Sequence, residues 1–65
     1  MTNEEAKTAL FKRTPVIYNG IEYLYIYGIT YRVDSNNELI ISAELLDKNQ
    51  RSITTAKLKD VSTIL

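Results

Sequence analysis

Residues 21–33 read IEYLYIYGITYRV, and the placement of their tyrosines decides how the chain folds. Tyr23, Tyr25 and Tyr27 fall at every second place, so an extended strand puts all three on one face and Leu24 and Ile26 on the other. Only one face of a small sheet enters the core. If the phase ran unbroken from Val33 back to Ile21, the three tyrosines would share the inner face with Ile29 and Tyr31, and each buried hydroxyl would need a hydrogen-bond partner. Gly28 offers another solution, because a glycine inside a strand marks a bulge or bend, and one extra residue there inverts the phase. The expectation is that Leu24, Ile26, Ile29 and Val33 point inward with a mostly buried Tyr31, while Tyr23, Tyr25 and Tyr27 point outward.

Working outward, Asn19-Gly20 joins this strand to PVIY, and Asn-Gly between apolar runs predicts a two-residue type I′ hairpin. That turn sets Tyr18 opposite Ile21 and so adds Tyr18 to the tyrosine face. On the other side, DSNNE separates the strand from LIISAELL. A loop of residues 35–37 with Asn37 left-handed sets Val33 against Leu39, Tyr31 against Ile41 and Ile29 against Ala43, and it gathers Arg32, Thr30, Ser42 and Glu44 on a polar face. A two-residue loop mixes charged and apolar groups on both faces, so the longer loop is preferred. A turn over residues 48–50 would then set Ile53 opposite Leu45 and Thr55 opposite Ala43, although a four-residue loop also fits. The tail KLKDVSTIL spaces Leu58 and Val61 for one helical turn, followed by a closing strand over residues 63–65.

Before Pro15, TNEEAKTALFKR carries helix signals at both ends. Thr2 and Glu5 have the spacing of a capping box, and Lys12 and Arg13 stand where a helix C-terminus favours cations. Ala6, Ala9 and Leu10 form a narrow apolar stripe over a predicted helix of residues 2–12. Pro15 ends it by holding Thr14 extended.

These elements make one domain of residues 1–65, mainly β, with a short N-terminal helix. The strand order and the AKLKDV turn resemble a small antiparallel Src-homology-3-like barrel of four to five strands over residues 14–65. The resemblance is one of fold and implies no function. The alternative architecture is an open antiparallel sheet with the helix across one face.

Composition limits the function classes. Eight Lys and Arg balance eight Asp and Glu, which removes the excess positive charge of a general nucleic-acid binder. With neither histidine nor cysteine present, the chain lacks the commonest neutral-pH base, the thiol nucleophile and the usual zinc ligands. The two glycines form no phosphate loop. Glu22 and Glu44, the acids inside strands, read as solvent-face charges, and DSNNE lacks the glycine and spacing of a calcium loop. No enzyme activity, metal, cofactor or small-molecule substrate is expected. The acidic start MTNEEAK and the lack of a long apolar run point to a cytoplasmic protein without a membrane segment. A composition rich in Ile, Lys, Asn and Tyr hints at a bacterium or phage of low GC content.

What remains is a candidate binding surface of Tyr18, Tyr23, Tyr25, Tyr27 and Arg32. Outward aromatic rows stabilise sheets by cross-strand contact, and they also anchor interfaces. The expected function is a non-catalytic protein-interaction module, self-associating or docking on a protein partner. The alternative is single-stranded nucleic-acid binding by the same tyrosines with a basic rim of Arg32, Lys57 and Lys59.

Overall fold

A computed structural model describes residues 1–64. Helix α1, Asn3–Lys12, begins at the expected capping box: the Glu5 N–H donates to Thr2 Oγ1 at 3.1 Å, and the Thr2 N–H donates to Glu5 Oε1 at 2.8 Å. It ends at Arg13, which turns left-handed at φ 54° and sends its N–H to the Ala9 carbonyl. Its buried residues are Ala6 and Ala9, with Leu10 packed beside them. Two side chains this small let the helix approach the sheet closely, and it lies against the strand that carries Tyr31.

The strands form two three-stranded antiparallel sheets. Strand β1, Val16–Tyr18, pairs with β2, Ile21–Tyr23, and on its other side with β6, Val61–Thr63. Strands β3, Tyr25–Val33, β4, Leu39–Leu46, and β5, Ile53–Lys57, make the second sheet in that order. Between β2 and β3 the chain bends at Leu24, whose N–H donates to the Leu46 carbonyl at 2.8 Å and so holds the corner against the second sheet. A 3-10 helix, Leu58–Asp60, connects β5 to β6. The core lies between the sheets and under the helix, with Ile26, Leu45, Val16 and Val61 its largest fully enclosed side chains.

The sheets do not close into a barrel. The outer edges of β5 and β6 have no strand partner among the described residues. Closure needs strands long enough to tilt and stagger around an axis, and β1, β2 and β6 each hold three residues. The closing strand ends at Thr63, and Leu65 lies outside the described residues.

Two turns have the expected form. Asn19 and Gly20 both take positive φ, 54° and 76°, as a type I′ turn requires, and Tyr18 pairs with Ile21. Asn37 is left-handed at φ 62°, and Val33, Tyr31 and Ile29 pair with Leu39, Ile41 and Ala43. Asp34 serves this loop by accepting the N–H groups of Asn36 and Glu38 on Oδ1, at 2.8 and 3.0 Å. The third turn differs by one residue: Ile53 pairs with Leu46, and Ala56 pairs with Ala43. Asp47 and Ser52 close this longer loop through the Asp47 N–H and the Ser52 carbonyl. The shift brings Ala56 into the core at 3% exposure and leaves Ile53 outside, which a turn over residues 48–50 would reverse.

Strand β3 carries the bulge expected near Gly28. Ile26 pairs with Leu45 and Gly28 with Glu44, so Tyr27 is the extra residue and Ile26 and Ile29 share the inner side. The bend at Leu24 is a second inversion. Together the two place Tyr23 and Ile26 in the core and Ile29 against it, at intervals of three rather than two.

Candidate functional site

The tyrosines do not form one displayed face. Tyr23 is a core residue at 7% exposure, paired with the fully buried Val16, which overturns its expected place on a binding surface. The reason is the corner at Leu24: a strand that changes sheets there must turn one residue of its outer row inward. Tyr18 and Tyr25 are half-buried, and Tyr18 packs against the core. The Arg13 guanidinium lies 5.6 Å from the centre of the Tyr25 ring, close enough for a cation–π contact. Tyr27 stands out at the bulge, 58% exposed. Arg32 is exposed opposite Ile40 and, one residue from Tyr31, on the other face of the strand. Lys57 is exposed opposite Ser42 at the end of β5, and Lys59 is exposed in the 3-10 helix.

A different surface takes the place of the tyrosine row. At the far end of the β3–β4 hairpin, Tyr31, Val33, Leu39 and Ile41 lie on the side of the sheet that enters the core nearer its middle. The expected burial of Tyr31 and Val33 is not observed: they are 49% and 62% exposed, and Leu39 is also 62% exposed. The core stops short of them because β3 runs for nine residues while the strands of the facing sheet have three each. At about 3.3 Å per residue the hairpin outreaches its cover by several residues.

This shelf runs into a groove of about 420 Å³. Met1, Leu39, Ile41 and Leu58 give the groove an apolar floor, Asp34 and Glu38 flank it from the hairpin turn, and Lys57 and Lys59 flank it from the end of β5. None of these four charged side chains is in an ion pair among the described residues, whose bridges are Lys7 to Glu4 and Lys48 to Glu22. One wall is tied to the shelf, since the Tyr31 hydroxyl donates to Asn3 Oδ1 at 2.8 Å.

Among the described residues no three acidic, histidine or cysteine side chains gather as metal ligands. The Glu5 carboxyl is held below its ordinary range, chiefly because the Thr2 N–H donates to it and then because of the Thr2 hydroxyl; this belongs to the helix cap. The arrangement offers an amphipathic surface, an apolar floor between acidic and basic flanks. A partial sequence signal for the shelf does exist: the polar run of residues 34–38 directly beside Val33 and Leu39 marks where the apolar stretch ends, while the cover over it is set by the short strands of the facing sheet.

No family model, curated protein or solved structure matches the chain.

Proposed function

We propose that the chain is a non-catalytic protein-interaction module of the cytoplasm that docks through the apolar end of its β3–β4 hairpin. The observation that carries this reading is the Val33–Leu39 pair: two branched apolar side chains directly opposite each other, each more than half exposed. Isolated exposed apolar residues are ordinary on any protein, whereas a contiguous apolar surface rimmed by charge marks contact sites. Tyr31 supplies the aromatic element, a rigid amphipathic ring of the kind enriched in interfaces.

The Src-homology-3-like reading of the scaffold is part of the proposal. Its support is the strand succession from β6 through β1, the bent β2 and β3 pair, and β4 to β5, with a 3-10 helix before the last strand. Single-stranded nucleic-acid binding has less support from the geometry, because Tyr23 is in the core and Arg32 lies across the strand from Tyr31.

Amide spectra of the isotope-labelled chain test the reading, recorded first against increasing protein concentration and then in extract of the source cell. Shifts or broadening centred on Tyr31, Val33, Leu39 and Ile41, and lost in a Leu39→Thr variant, are expected. Changes centred elsewhere, or none, would overturn it.

A further inference from the structure

We propose that the occupant of this surface is a second copy of the same chain, docked across a two-fold axis. The inference rests on the docking role of the hairpin end and names its partner.

The distribution of charge around the apolar floor carries the argument. Asp34 and Glu38 stand at the hairpin turn, and Lys57 and Lys59 flank the same groove where β5 ends. Lys57 is level with Ser42 in the ladder. Glu38 and Ser42 are four positions apart on the chain, about 13 Å of strand, which measures the separation of the two charged ends along the sheet. Ser42 and Lys57 themselves share the face opposite Leu39 and Ile41, so Lys57 flanks the groove from its edge and Lys59 from the 3-10 helix. The strip is therefore negative at one end, apolar in its middle and positive at the other.

A two-fold interface brings one patch against itself, so the patch must be its own complement. A strip of this polarity satisfies that condition: turned over upon a copy, it sets Glu38 toward Lys59 of the other subunit at both ends and lays Leu39 against apolar surface in the middle. A patch rimmed by one sign would repel itself in the same arrangement. Formal charge of zero at pH 7 leaves no overall repulsion between copies. A chain of 65 residues also buries a smaller fraction of its surface than a larger domain, so burial between copies adds to a small core.

Charge reversal makes the test. Glu38→Lys places lysine at both ends of the strip, and Lys59→Glu places acid at both ends. Sedimentation at low salt is expected to show a dimer for the unaltered chain. Each reversed chain alone should have a dissociation constant raised about tenfold, since one substitution alters two symmetry-related rim contacts. An equimolar mixture of the two should regain the dimer as a mixed species, because every contact again joins opposite charges, and this recovery also shows that both variants are folded. A chain carrying both reversals should dimerise as the original does.

A monomer at every concentration, or a dimer indifferent to both reversals, would overturn the self-pairing. If the monomer still shows Leu39-dependent amide changes in extract, the docking surface stands with another protein as its occupant. A dimer that survives Leu39→Thr unchanged would overturn both.

Discussion

Val33 and Leu39 stand directly across the ladder from each other, immediately before and after the polar loop of β3 and β4, and each keeps 62% of its surface exposed. Further along β4, on the same side, Leu45 has none of its surface exposed. One face of one strand thus passes from core to open surface within six residues. Stability and association should separate along it. Leu39→Thr retains a branched strand former and should change unfolding free energy by no more than about 0.5 kcal/mol. Leu45→Ala should cost about 2–5 kcal/mol. A domain of this size has roughly 3–10 kcal/mol in total at the usual value per residue, so the second variant loses a large part of its folded population. Urea midpoints check the contrast, and equal costs would show that the hairpin end is packed.

Tyr23 and Tyr27 should behave oppositely. Tyr23 fills the corner between the sheets, so Tyr23→Ala should destabilise by about 3–5 kcal/mol, the range for removal of a buried ring. Tyr27→Ala removes an exposed ring from the bulge and should cost less than about 1 kcal/mol. Nitration followed by peptide mass analysis offers an independent check: Tyr27 should react early and Tyr23 only on unfolding. Equal reactivity would refute the two inversions of phase.

Much of the fold was legible where the decision is local. Asn19-Gly20 demands its turn from backbone conformation alone, and the clean division of faces around Asn37 permits one register. The bulge beside Gly28 was legible for the same reason, since an uninterrupted phase would bury too many hydroxyls. The bend at Leu24 was not, because it arises from β2 and β3 belonging to different sheets and leaves no turn residue behind. The register of β5 turned on which of two allowed loops formed, and the choice was made by Ala56 packing opposite Ala43. The candidate site was misplaced for a related reason. Residue patterning tells which face of a strand is apolar, while its cover depends on the length of the opposite sheet, which no residue of β3 encodes.

The two glycines should respond differently to alanine. Gly20 has φ +76° with open space around it, so Gly20→Ala meets no clash but must hold a left-handed backbone, costing about 1–2 kcal/mol. At Gly28 the difficulty is a neighbour: a Cβ there would lie 2.6 Å from Glu44 Oε1, the mobile end of a half-buried side chain. Glu44 can swing away, so Gly28→Ala should cost less than Gly20→Ala. Adding Glu44→Ala should remove the remaining penalty and leave the gain of about 0.4–1 kcal/mol that comes from a less flexible unfolded chain. Thermal unfolding of these variants, with Glu44→Ala alone as the reference, reads this directly, and a double variant less stable than Glu44→Ala would show that the strand needs glycine for its backbone.

Acid should loosen the N-terminal turn before the sheets. The Thr2 N–H and then the Thr2 hydroxyl hold the Glu5 carboxyl below the ordinary glutamate value of about 4.3. The folded state therefore binds this proton less readily than the unfolded state does. Its contribution to stability is fully present above the ordinary value and is lost as pH falls through the lower, folded one. Below that point the bond from the Thr2 N–H loses its charged acceptor and the first turn of α1 is weakened, while Thr2 Oγ1 still accepts the Glu5 N–H. Amide exchange at Glu5 and Ala6 should accelerate over this range while exchange at Leu45 stays slow. Glu5→Gln is the decisive control, because glutamine can complete the same capping box without titrating: helix protection should persist and its pH dependence should flatten. Unchanged acid sensitivity in that variant would assign the effect to another carboxylate.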